Sequence, residues 1–173
     1  SLSVTLDTLG VFGRTVSDVA LGVAAMSADH DLMNIAPLES KIRIGICKTD
    51  DFAHAQAETA AALSLAGFAA KAFANGGVGE IALPMDCAKL SETQTTIMLF
   101  EMAKSFTFEK LNHFDQISPT LKAIIERGVA ITYDHYHAAH LKAKVARAAI
   151  KELFADQVDI LIAPSATGEA PKT

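Results

Sequence analysis

Ile42-Arg43-Ile44-Gly45-Ile46, opened by Lys41 and closed by the polar run Lys48-Thr49-Asp50-Asp51, is a short β-branched segment whose composition predicts a strand. An alanine- and leucine-rich stretch follows. It predicts a helix over residues 52–66, with Gly67 placed as a left-handed cap. Residues 68–73 then read as a second strand and Asn75-Gly76-Gly77-Val78-Gly79 as a turn. Glu80-Ile81-Ala82-Leu83, ended by Pro84, either continues that strand or pairs with it as a hairpin. Strand, helix and strand in this order make a right-handed crossover unit, so the expected fold class is α/β, with short, mostly parallel or mixed strands flanked by helices.

Outward from this unit the chain is mainly helical. Thr15-Val16-Ser17-Asp18 has capping-box spacing and predicts a helix over residues 14–27, with Val16, Val19, Ala20, Val23 and Met26 at helical intervals. Ser27-Ala28-Asp29-His30-Asp31, and then Pro37, read as loop. Helices are expected over residues 91–106, from Ser118-Pro119 as N-cap and first residue to a stop at Gly128, and over residues 131–155. The last would be about 37 Å long at ~1.5 Å per residue. Val158-Asp159-Ile160-Leu161-Ile162-Ala163-Pro164 is a continuous apolar run of the kind buried on both faces of a parallel sheet. Three short strands scarcely cover it, so further strands are expected outside this chain.

The 173 residues are 50% hydrophobic and 20% charged, which suits one domain with a real core and excludes a disordered linker. A net charge of −5 with 15 basic residues argues against a nucleic-acid surface. Residues 57–74, the most apolar stretch, are interrupted by Glu58, Gly67 and Lys71, so no membrane span is expected. Two cysteines 40 positions apart form neither a disulfide framework nor a zinc motif. A soluble cytoplasmic protein is the expectation. The chain opens inside a patterned segment, and its mean hydropathy of +0.27 is high for its size, so it reads as a single partial domain of something longer.

Local motifs are sparse. His135, His137 and His140 share a helix, but only His137 and His140 are spaced to share a face, and a third zinc ligand is lacking; a structural or solvated role is favoured. The Asn75–Gly79 segment has no Lys-Ser/Thr and opens no helix, so a plain turn is preferred to a phosphate loop. Cys47 has no basic neighbour in sequence to activate it and reads as buried filler. Asp29-His30-Asp31 reads as solvated loop. The chain contains no Gly-x-Ser-x-Gly elbow and no His-Glu-x-x-His.

The opening segment carries more information. Ser3-Val4-Thr5-Leu6-Asp7-Thr8-Leu9-Gly10-Val11-Phe12-Gly13-Arg14-Thr15-Val16-Ser17-Asp18-Val19-Ala20-Leu21 resembles the Ser-x-Ser-Leu-Asp-Thr-x-Gly-Pro-Phe-x-Arg-Thr-Val-x-Asp-x-Ala-Leu segment of the amidase signature family. Further resemblances follow in order: the strand around Ile44; Leu65-Ala66-Gly67-Phe68; Leu83-Pro84; Gly128; Tyr136 with Ala139; Val158–Pro164; and Ala170-Pro171. One departure is Val11, where the family pattern has Pro.

The resemblance implies a hydrolase of carbon–nitrogen amide bonds, acting on a small carboxamide and needing no cofactor. It implies a Ser nucleophile activated through a cis-Ser by a neutral Lys, with backbone N–H groups as oxyanion donors. That apparatus lies N-terminal to the matched segment, so no catalytic residue and no metal ligand is assigned here, and this chain by itself is expected to be inactive. Asp7 and Arg14 are expected to support the backbone path leaving the catalytic segment. Met98, Phe100, Met102, Phe106 and Phe108 are candidate walls of the substrate pocket, chiefly Met98, Met102 and Phe106. Two alternatives stay open: a non-catalytic binding or scaffold module that pairs with another chain or self-associates through exposed apolar surface, and a metal-dependent protein built on the residue 135–140 histidines.

Overall fold

In the computed structural model, which describes residues 1–34 and 41–170, the run around Ile44 is the centre of a parallel three-stranded sheet. Its strands are β1 (Ile44–Cys47), β2 (Val78–Ile81) and β3 (Ile160–Ile162), in the order β2-β1-β3. Ile44 stands opposite Val78 on one side and Ile160 on the other. The helices are α1 (Val16–Ser27), α2 (Ala57–Ala70), α3 (Leu90–Ser105), α4 (Thr107–Asn112), α5 (Pro119–Val129) and α6 (Tyr133–Asp156). The mixed α/β class is as expected. Pro37 and Pro171 lie outside the described residues.

The chain divides into two compact units, Ser1–Ser40 and Lys41–Thr173. In the first, the Ser3 carbonyl accepts from the N–H groups of Leu6 and Asp7, closing a turn. Thr15 caps α1 by accepting from the Asp18 N–H at 3.1 Å. Val11 packs on α1 at Gly22, where an added Cβ would lie 2.7 Å from a Val11 methyl. The buried residue of α1 is Ala24, while Val16 and Met26 of the expected apolar stripe are exposed.

In the second unit α2 overrides the expected boundary. Residues 68–70 complete the helix and residues 71–73 turn, so there is no strand over residues 68–73. Alanines on both sides of Gly67 carry the helix through it at modest cost. Gly67 does not cap the helix but faces β1, where a Cβ would meet the Ile46 side chain at 3.3 Å, a tight contact. The hairpin alternative also fails, because β2 runs parallel to β1. The turn before β2 is fastened to the entry of β1. Asn75 Oδ1 accepts from the Ile42 N–H at 2.6 Å, the Gly76 N–H donates to the Ile42 carbonyl at 2.9 Å, and Gly77 takes φ +101°.

Strand β3 is an edge strand, and Ile160 is 44% exposed, so the expected burial on both faces is not reached. Its entry is set by Asp159, which accepts from the Arg43 N–H at 2.7 Å and the Arg43 guanidinium at 2.9 Å. That guanidinium holds the Asp159 carboxyl below the usual carboxylate range. Helix α3 packs against α5 and α6. Ser118 caps α5 by accepting from the Leu121 N–H, as its Ser-Pro start predicts. Gly128 sits inside the last turn of α5, where a side chain would collide with the Leu99 carbonyl of α3. Ala139, Ala146 and Leu153, seven apart, form the buried stripe of α6.

Candidate functional site

All three strands point the same way, so their carboxyl ends open on one side: β1 into Lys48-Thr49, β2 into Ala82-Leu83-Pro84, and β3 into Ala163-Pro164. Open α/β sheets bind ligands at this end. A groove of about 780 Å³ lies there, and Leu83, Pro84 and Pro164, eighty residues apart in sequence, all line it. Its polar wall is the turn after β1. Asp50 accepts from the Lys89 N–H at 3.2 Å, and Asp51 accepts from the Ser91 hydroxyl at 2.9 Å. Lys89 adopts φ +56° at the start of α3, a left-handed conformation that its hydrogen bond to Asp50 accompanies.

The cations of the groove also have partners. Lys48 lies 3.0 Å from Glu80, and Lys89 lies 3.9 Å from Glu92. The wall therefore offers two carboxylates held by hydrogen bonds and two ammonium groups in exposed ion pairs, a polar surface suited to a polar ligand. Ser91 is committed to Asp51 rather than to a lysine base. Cys47, at the end of β1, is fully buried, and burial pushes its thiol up, as it does the thiol of Cys87. The filler role read for Cys47 agrees with both observations.

A second polar cluster joins α3 to α6. Glu101 is 6% exposed and accepts from the Tyr136 hydroxyl at 2.8 Å. Burial, and then the hydrogen bond to Glu101, push the Tyr136 phenol up to about 12, so it remains a donor at neutral pH. Tyr136 stacks on Phe100 at 4.1 Å between centroids and meets the edge of His140 at 4.5 Å. His140 Nε2 is buried 3.7 Å from Glu101, beyond hydrogen-bond reach.

The residues singled out in the sequence are dispersed. Asp7 does not meet Arg14: its carboxylate accepts from the Ser1 hydroxyl at 2.8 Å and the Leu2 N–H at 2.7 Å, which hold it below the usual range. Arg14 is exposed and lies 4.0 Å from Asp18. Met98 and Met102 are half-buried on α3, and Phe106 is half-buried between α3 and α4; none of the three lines the strand-end groove. His137 stacks on Tyr133, away from the partners of His140. Among the described residues no group of three His, Cys, Asp or Glu side chains comes together as a metal cluster, and no helix is long and apolar enough to cross a membrane.

Sequence reading missed Asp50, Asp51, Lys89 and Glu101 as site residues. A charged run directly after a strand was a signal for the first two. Glu101 was signalled as the one carboxylate within Ile97-Met98-Leu99-Phe100-Glu101-Met102-Ala103.

Neither known protein families nor curated proteins give a match to this chain. Solved structures do. An amidase crystal structure superposes with a TM-score of 0.77 at 22% identity, over 99% of this chain and 38% of its own. The chain has an amidase-like fold. A protein from a vestigial complex that reveals the evolutionary origins of an s-triazine catabolic enzyme superposes at 0.78 and 20% identity, over 99% of this chain and 39% of its own. Its inhibitor-bound complex gives 0.72 and 20%, over 92% and 36%. The chain thus spans less than two fifths of the length of these amidase-like neighbours.

Proposed function

We propose that this chain is the part of an amidase-signature carbon–nitrogen hydrolase that follows its serine-rich catalytic segment. The observation that carries the reading is the superposition of 99% of the chain on 38% of an amidase. In this reading the nucleophile, base and oxyanion donors come from that other segment, and this chain supplies the strand-end groove as one wall of a site for a small carboxamide. Asp7 and Arg14 keep their assigned role in supporting the backbone, while Met98, Met102 and Phe106, which do not line the groove, would wall the pocket only from outside it. The unfilled apolar surface supports the reading: Leu65 and Phe68 of α2 are 69% and 72% exposed, on a helix whose only polar residues are Glu58, Thr59 and Ser64.

The test compares this chain with the same reading frame extended upstream, assayed for ammonia release from aliphatic and aryl carboxamides. No release from the chain alone, and release from the extended protein that is lost when its Ser-rich loop is mutated to Ala, is the expected result. Hydrolysis by the 173-residue chain itself would refute the division of labour.

A second reading, a non-catalytic module that pairs with another chain, is favoured by one observation: two of the similar structures come from a vestigial protein complex. It expects the extended protein to be inactive on every amide and to sediment as a complex. A monomeric, active extended protein rules it out.

A further inference from the structure

A second hollow, of about 270 Å³, lies between α3, α4 and the end of α5, and none of its lining residues belongs to the strand-end groove. That volume is near the lower limit for small-molecule sites, about 300 Å³, and suits a single ring or a short alkyl chain. Phe100, Ala103, Gly128 and Ile131 are among its apolar lining. The Phe100 ring is held in place by its stack on Tyr136, and the hollow comes close to bare backbone at Gly128. Leu111 and Val129, 74% and 53% exposed, extend the apolar lining.

The charges of the lining are all of one sign. They are Lys104 and Lys110, with no carboxylate among the lining residues. Among the described residues neither ammonium has an acidic partner, in a chain whose net charge is −5. Lys104 Nζ instead stands 5.1 Å from the centre of the Phe100 ring. One lysine over an aromatic ring and a second lysine in the same lining, neither with an acidic partner, suit a ligand with an apolar body and an anionic end, because the charged end gains charge-assisted hydrogen bonds while the body leaves water.

We propose that this hollow binds a small carboxylate with an apolar body, its body against Phe100 and Val129 and its carboxylate between Lys104 and Lys110. The site stands independently of the hydrolase reading; the carboxylate released by carbon–nitrogen hydrolysis would be one member of its ligand class.

Ligand-observed NMR on the whole protein tests this with sodium benzoate as probe and benzamide as its neutral isostere. Benzoate should bind in the millimolar range, and benzamide about tenfold more weakly. The double variant Lys104→Met/Lys110→Met keeps the apolar stems, so it should weaken benzoate about tenfold and leave benzamide unchanged. Val129→Trp, at a half-exposed position outside the core, fills the hollow and should abolish binding of both. Absence of benzoate binding, or binding unaltered by either variant, overturns the proposal. Because every readout is binding, loss of this site leaves the hydrolase reading intact, and an inactive hydrolase leaves this site intact.

Discussion

Tyr136→Phe isolates one buried interaction with little collateral change. It deletes the hydroxyl that donates to Glu101 at 2.8 Å and leaves the ring stacked on Phe100. Glu101, 6% exposed, then loses a donor that cannot be replaced freely by water. A hydrogen bond to a charged group contributes about 1.5–3 kcal/mol. For a chain of this size each kcal/mol moves the melting temperature by about 2–4 °C, so a loss of about 2 kcal/mol lowers it by about 4–8 °C. The phenol also leaves a signature in pH. Its folded pKa is raised to about 12, first by burial and then by Glu101, above the unfolded value of about 10. The folded state therefore holds this proton more tightly, and the stabilisation is fully present below pH about 10 and lost as pH rises through about 12. Urea unfolding followed by circular dichroism should show a constant gap between wild type and variant up to pH about 10, then a narrowing one. A variant within about 0.5 kcal/mol of wild type, or a gap that does not narrow in alkali, would refute the reasoning.

Gly128→Ala should destabilise by about 1–3 kcal/mol in the same urea assay, because its methyl meets the Leu99 carbonyl and lies 2.7 Å from the Ala103 Cβ, forcing α5 away from α3. Equal or greater stability, as helix propensity alone would give, sinks that account. Asp159→Asn should act through acid. The carboxyl is held low by the Arg43 guanidinium, so its stabilisation is present above the unfolded value of about 3.9 and fades as pH falls through the folded value. Thermal melts should therefore show wild type more stable than the variant at neutral pH and converging with it in acid. An advantage that persists undiminished to pH about 2 contradicts it.

The elements that sequence placed well are those specified by neighbours in sequence. Thr15 and Ser118 cap their helices through N–H groups three residues on, and both caps are formed. The misread elements depend on contacts distant in sequence. Gly67 looked like a helix end because its partner, Ile46 across the α2–β1 contact, is invisible in a local window. A helix end at Gly67 leaves residues 68–73 as a mostly apolar run with no local sign that it is helical. The site was legible in the same uneven way. Leu83-Pro84 and Pro164 are separate motifs in the sequence, yet only the parallel register of β2 and β3 on β1 brings both to one groove. Glu101 needed Tyr136, 35 residues away, before its isolation among apolar neighbours acquired a meaning.

The apolar excess of the composition now has addresses. Helix α2, polar only at Glu58, Thr59 and Ser64, buries only Leu63 and Ala70, while Leu65 and Phe68 face solvent, and β3 leaves Ile160 exposed at a sheet edge. A helix with that composition is ordinarily covered on both sides, and an edge strand with no charged side chain along its length is ordinarily paired or protected. One surface belongs to the helix that crosses from β1 to β2 and the other to the strand on the far side of β1, so the residues that build the sheet and its crossover also present more apolar surface than they bury. Neighbours more than twice as long, of which this fold occupies less than two fifths, have the additional chain to cover such surfaces. On that ground the sedimentation and extension experiments probe one physical quantity, the apolar area of α2 and β3, as well as activity.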